Sequence, residues 1–328
     1  MCILSIKSAK RILLFLALSL FISLPCEAVE QNVKSGSSSF WEDFANFFLP
    51  HVEKRNVLFE KQTQYFLVTV EEGENGWRHL VFKPRKGAQG IWNPAAPDEI
   101  ITSSCKNMAV FVQMANLPPK RVLFIGLGSG IVPRFVRKHF SETIIDIAEI
   151  DGEIPGIAEK YFGFKTDART NIIIGDARDY INRTQEKYDA IIIDAYNADC
   201  IPFQLTTEEF YRKVRRALVD DGIMNVNVAN LGKPKFIAGE LKTVKTVFPE
   251  LAVFVCSGQT NYMLFAQKNR QFNISEQKER EITELCRQNP ELNLTEIIAT
   301  RMPEDELHEI VYGANVFTDD FAPVETMK

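Results

Sequence analysis

Histidine is scarce: His51, His79, His139 and His308 are the four in 328 residues, and they are scattered without ligand spacing. That pattern gives a metal site little support. Six cysteines are present, but no close pair suggests a zinc knuckle or a redox dithiol. A positive balance is missing as well, since the formal net charge is -5. Neither nucleic acid nor an anionic membrane has a broad electrostatic reason to hold such a surface, so no nucleic-acid partner is expected. Internal repeats and long low-complexity tracts are also absent, which excludes solenoids and arrays.

The one conspicuous apolar run lies at the start. Lys7, Lys10 and Arg11 precede Ile12 to Leu24, and Pro25-Cys26-Glu27-Ala28 follows. A charged start, a short apolar stretch and small residues at −3 and −1 predict a secretory signal over residues 1–28. The run is short for a bilayer span, which needs about 20 residues. The expectation is export to a periplasm or beyond, with an uncleaved membrane anchor as the alternative. Cys105, Cys200, Cys256 and Cys286 would remain after cleavage, and export permits disulfides among them.

Residues 29–58 read as an N-terminal linker segment and 59–117 as a small antiparallel β unit followed by a helix. Alternation in Tyr65 to Val70 and around Leu80-Val81-Phe82 supplies the strands, and a helix is predicted from about Asp98 to Ala115. From Arg121 the pattern changes. Apolar runs at Val122–Ile125, Ile144–Ile147, Ile172–Ile174, Ala190–Ile193, Ile223–Val228, Ala252–Val255 and Tyr262–Ala266 alternate with amphipathic, helix-length segments. Continuous β-branched strands are what a parallel sheet covered on both faces requires. Residues 118–268 are therefore expected to form a doubly wound, mostly parallel, seven-stranded Rossmann-like sheet, and 269–328 a C-terminal helical extension, with helices near Ser275–Arg287 and Glu304–Tyr312.

Four strand ends carry chemistry. The first runs into Gly126-Leu127-Gly128-Ser129-Gly130 and then a helix from about Val132. Glycines let the turn approach a ligand, and the helix start offers free backbone N–H groups. Ile131 stands where a dinucleotide fingerprint wants Gly or Ala, which disfavours NAD and FAD and suits the tighter nucleoside loop of methyltransferase-like folds. The second ends in Ala148-Glu149-Ile150-Asp151, with Glu149 placed to meet ribose hydroxyls and Asp151 read as a cap for the next helix. The third and fourth give Gly175-Asp176-Ala177-Arg178 and Asp194-Ala195-Tyr196, each with an acid on the ligand-binding edge.

From Gln64 to Ala266 the chain resembles the spermidine synthase-like polyamine aminopropyltransferases, which are variants of the class I methyltransferase fold. The resemblance is carried by Arg121 to Gly126, Ala148 to Asp151, Gly175 to Arg178, Tyr188 to Asp194, and Thr207-Glu208-Glu209-Phe210-Tyr211. It implies that S-adenosylmethionine, or its decarboxylated form, is held as co-substrate by Gly126, Gly128, Ser129, Gly130, Glu149, Asp176 and Ala177. Asp194 would orient or deprotonate an acceptor amine, with Gln64, Tyr196 and Asp199 on the substrate side. A small-molecule amine or other acceptor is expected as partner, with a homodimer as a further expectation and no metal. The departures matter: Ser129 replaces a loop aspartate of the family, Thr102-Ser103-Ser104 stands in for a Tyr-His-Glu run, and Asp194 to Asp199 matches its Asp-Ser-Ser-Asp-Pro loop only loosely. Asp319, Asp320 and Glu325 near the C-terminus are either replacement pocket acids or a solvated acidic tail.

Three functions fit this reading: an aminopropyltransferase, an S-adenosylmethionine-dependent methyltransferase in which Ser129 no longer repels a methionine carboxylate, or an exported nucleoside- or polyamine-binding protein without turnover.

Overall fold

The computed structural model describes residues 55–84, 87–115, 118–196, 201–229, 232–256, 261–269, 276–290 and 292–321. The leader, Asp199, Cys200 and Glu325 lie outside the described residues.

Each apolar run named above becomes a strand of one sheet. These are β5 (Arg121–Ile125), β6 (Ile144–Glu149), β7 (Thr170–Ile174), β8 (Tyr188–Ile193), β9 (Leu218–Ala229), β10 (Ala252–Val255) and β11 (Asn261–Gln267), in the order β10-β11-β9-β8-β5-β6-β7. The five strands from β9 to β7 are parallel, and β11 runs antiparallel between β9 and β10. Strand β8 is buried at every position, as a central strand covered on both faces must be. The two faces feed separate apolar clusters. One contains Phe124, Ile147 and Ile192; the other contains Leu123, Ile191 and Ile193. Alternation along each strand thus sends neighbouring residues to opposite sides. Asp189 secures the start of β5, its Oδ2 accepting from the backbone N–H groups of Lys120 (2.8 Å) and Arg121 (2.9 Å).

The smaller sheet has four antiparallel strands, β1 (Asn56–Gln62), β2 (Leu67–Glu72), β3 (Arg78–Lys83) and β4 (Ala88–Trp92), in sequential order. Only β2 and β3 correspond to predicted runs. The following helix, α1 (Ser103–Val112), begins later than the predicted Asp98. Thr102 is the reason: its backbone is extended (φ -79°, ψ 142°) and its hydroxyl accepts from Cys105 N, so it caps the helix. Beyond Val112 the N–H groups of Gln113, Met114 and Ala115 bond three residues back, which tightens the end into turns.

The other helices are α2 (Ile131–His139), α3 (Ile154–Phe162), α4 (Ala177–Arg183), α5 (Glu208–Ala217), α6 (Pro234–Val247), α7 (Glu276–Gln288), α8 (Leu294–Ala299) and α9 (Glu304–Val311). No helix among the described residues is long and apolar enough to cross a membrane. Among the described residues, Cys105 and Cys256 are free thiols. Burial pushes Cys105 up to about 12 and Cys256 up to about 11, so both are poor nucleophiles at neutral pH.

Candidate active site

The strand order reverses at β5: the chain moves outward through β6 and β7, then returns to place β8 on the other side of β5. Such a switch point opens a crevice at the carboxyl ends of the strands. Here those ends are Gly126 after β5, Glu149 closing β6, Asp176 after β7 and Asp194 after β8, and all four line one cleft. Among the described residues no group of three or more His, Cys, Asp or Glu side chains is placed to hold a metal ion.

Gly126 is where the two halves of the switch meet. Its φ is 93°, and a Cβ there would overlap the carbonyl oxygen of Asp194. The backbones are tied at the same point, with Asp194 N donating to Ile125 O (2.9 Å) and Gly126 N to Ala148 O (2.9 Å). Only glycine satisfies both the turn and the approach.

Glu149 braces the glycine loop from below. Its Oε2 accepts from Leu127 N (2.9 Å) and its Oε1 from Asp151 N (3.0 Å), and the residue is 7% exposed. Burial pushes the carboxyl upward, and the N–H groups of Asp151 and Leu127 oppose that shift. Asp151 is not the helix cap that its position suggested. Glu153 holds the N-cap position of α3, and Asp151 Oδ1 accepts from Glu153 N (3.0 Å) two residues downstream.

Asp176 does two things. Oδ1 caps α4 by accepting from Arg178 N (2.7 Å), and Oδ2 accepts from Gln204 Nε2 (3.3 Å), drawing the turn Phe203–Leu205 over the cleft. Arg178 completes this fastening. It donates to Gln204 O (3.0 Å) and Thr207 Oγ1 (2.8 Å), and pairs with Asp319 Oδ2 (2.5 Å). Thr207 also donates to Asp319 Oδ1 (2.7 Å), and Asp319 N to Glu209 Oε2 (3.0 Å). Asp319 is thus a structural clasp, Asp320 is exposed, and neither lines the cleft. Of the two readings open for them, replacement pocket acids does not match these positions. Since Asp319 is half exposed, Asp319→Ala is expected to remove about 1 kcal/mol of stability. A thermal melt checks this, and an unchanged midpoint would count against the clasp.

Asp194 Oδ1 accepts from Asn227 Nδ2 (2.8 Å). Tyr196 lines the same wall, its hydroxyl donating to Asn227 O and accepting from Ala229 N (2.7 Å). The opposite wall comes from the small sheet, where the rings of Phe66 and Phe82 stack at 4.7 Å and Gln89 lies beside them.

A sequence model of the Spermine/spermidine synthase domain matches residues 103–278, just over half of the chain. The chain belongs to this family. Its relatives include a polyamine aminopropyltransferase of Vibrio vulnificus, 32% identical over 208 residues, which covers 62% of this chain and 69% of the relative. A human eEF1A lysine and N-terminal methyltransferase is 32% identical over 201 residues, covering 53% of this chain but 28% of that protein. Among solved structures, a probable spermidine synthase from Corynebacterium glutamicum superposes with a TM-score of 0.66 at 17% identity, covering 83% of this chain and 99% of that one, a likeness of fold.

On this spermidine synthase-type framework, Gly126, Gly128, Glu149, Asp176, Ala177, Asp194 and Tyr196 all reach the cleft, as their places at the strand ends required. Three expected residues do not. Ser129 is 5% exposed and packed onto β4, where a Cβ on Gly90 would overlap its hydroxyl, so it turns away from the ligand space. Gly130 serves as the left-handed N-cap of α2, backed by Phe164. Gln64 is exposed in the turn between β1 and β2. The charge argument for a methionine carboxylate beside Ser129 therefore has no contact with the cleft. Phe66, Phe82, Gln89 and Gln204 were missed because they come from the small sheet and the covering turn, where no local motif marks them.

Proposed function

We propose that this family member transfers the aminopropyl group of decarboxylated S-adenosylmethionine to an amine. The observation that carries the reading is the charge of the cleft: Glu149, Asp176 and Asp194 line it, and among its described lining residues there is no lysine, arginine or histidine. A decarboxylated donor carries a sulfonium and an ammonium with no compensating carboxylate, and a polyamine-like acceptor is cationic too. Such ligands are attracted by acids and rejected by fixed cations.

In this reading Glu149 takes the ribose hydroxyls on lone pairs left beside its two N–H bonds, and Asp176 takes the adenine amino group. Asp194 removes one proton from the acceptor ammonium. The freed amine pair then attacks the methylene next to sulfur, the C–S bond breaks, and its electrons return to sulfur, leaving neutral methylthioadenosine. Charge at the donor vanishes along the reaction, so positioning and proton removal supply most of the rate. The relationship to the human methyltransferase supports a second reading, methyl transfer from S-adenosylmethionine itself. For the N-terminal segment we keep the reading of export, which rests on its charged start and short apolar run.

Calorimetric titration of the purified protein with S-adenosylmethionine, its decarboxylated form and methylthioadenosine tests the assignment. Preference for the decarboxylated donor is expected; preference for S-adenosylmethionine would move the assignment to methyl transfer, and binding of none would sink it. Asp176 needs a control because it also caps α4. Asp176→Ser keeps a capping oxygen and loses the charge, so it should retain the thermal midpoint while weakening donor binding about tenfold. Equal donor affinity in Asp176→Ser and wild type would remove Asp176 from the donor site.

A further inference from the structure

Asn227 interrupts the apolar run of β9, where a strand buried on both faces has no use for an amide. It is 6% exposed and does not line the cleft, yet both polar atoms of its side chain are engaged. Its Nδ2 donates to Asp194 Oδ1 at 2.8 Å, and its Oδ1 accepts from Asn261 Nδ2 at 2.6 Å. Its backbone carbonyl accepts from the Tyr196 hydroxyl, which is itself fixed by Ala229 N. Strand register explains the meeting: Asn261 opens β11 opposite Ala229, two residues along β9 from Asn227.

The direction of this chain is forced. A carboxylate accepts and cannot donate, so the Asn227 amide must turn its NH2 toward Asp194 and its oxygen away. Asn261 meets that oxygen with a donor, which penalises the flipped amide by placing NH2 against NH2 and oxygen against carboxylate. We propose that Asn261 and Asn227 are positioning residues: together they hold the Asp194 carboxylate in the rotamer that faces the acceptor ammonium. This rests on the proposed role of Asp194 in taking the acceptor's proton. Neither asparagine touches the donor region, so their loss should slow transfer without weakening donor binding.

The discriminating variant is N261D in the full chain. It is nearly isosteric, but it replaces a donor with a pure acceptor, so the Asn227 amide is pulled over and presents its oxygen to Asp194. The expected order of kcat is wild type, then N261A about tenfold lower, then N261D about a hundredfold lower, with calorimetric donor affinity within about twofold in all three. A packing role alone predicts the reverse order, because the isosteric change disturbs packing least. N261D at wild-type kcat, or N261A worse than N261D, overturns the positioning. Should N261D fail to fold, N261A decides by itself through the split between kcat and donor affinity: a parallel loss of both overturns the proposal. A wild type that binds donor and transfers nothing would overturn the functional reading, and this one with it.

Discussion

Asp194→Asn is expected to lower kcat by about a thousandfold while donor affinity stays within about threefold. The magnitude is that of a positioned general base, between about a hundredfold and ten-thousandfold. The substitution is chosen because it spares the structure: the new side chain keeps an oxygen to accept from Asn227 Nδ2 and fits where the backbone already crowds Gly126. What disappears is the capacity to take a proton and one of the three negative charges in the cleft. Pre-steady-state turnover with the decarboxylated donor, read beside calorimetry on the same preparation, separates the two losses. If the variant keeps kcat within tenfold of wild type, Asp194 is not the base, and the acceptor must be deprotonated in solution or elsewhere in the site. A drop in donor affinity as large as the drop in kcat would instead make Asp194 an electrostatic anchor of the donor.

Why Asp194 could be found from sequence, and Asn227 could not, is a matter of where each signal sits. An acid directly after a run such as Ala190 to Ile193 stands out, because a parallel strand must end at the ligand edge of the sheet and the acid then has no structural reason to be apolar. The same logic reached Gly126, Glu149 and Asp176. Asn227 and Asn261 belong to strands, and their meeting depends on the β9–β11 register, which no local pattern records. The available hint was the pair Asn225 and Asn227 inside an otherwise apolar run, a costly placement unless both amides are paired. Phe66 and Phe82 carry a different difficulty, since they alternate as any half-buried strand residues do and reach the cleft only through the packing of one sheet against another.

The fold misses have similar causes. Strand β1 is exposed at nearly every position, so it lacks the alternation by which strands are read, and it forms by edge pairing with β2. Strand β4 is five residues long with a glycine inside it, and α8 is six residues long; neither gives a period time to develop. By contrast the central strands of the large sheet were legible because burial on both faces demands unbroken apolar runs.

Glu240 leads to a second large expected effect, this one in stability. It lies fully buried on α6, its Oε1 accepts from the Tyr211 hydroxyl of α5, and its Oε2 has no hydrogen-bond partner. Burial raises the carboxyl to about 8, with Tyr211 pulling weakly the other way, and burial beside Glu240 raises Tyr211 well above its usual value. An acid raised on folding binds its proton more tightly in the native state. Its contribution is therefore fully present below the unfolded value, about 4.3, and is lost as pH rises through about 8. Glu240→Gln removes the titration and keeps an oxygen for Tyr211, but leaves an NH2 without a ready acceptor, a fixed penalty of about 1–3 kcal/mol. Below about pH 4 the wild type should be the more stable by that amount. Between pH 5 and 9 the difference should shrink and then reverse, at up to about 1.4 kcal/mol per pH unit within the window. Urea unfolding of both proteins at pH 5, 7 and 9 measures the difference directly and cancels the other carboxylates. Parallel pH curves would mean that Glu240 reaches water or an unseen partner when charged. Crossing curves would mean that the α5–α6 contact through Tyr211 and Glu240 is held together by a neutral acid below about pH 8.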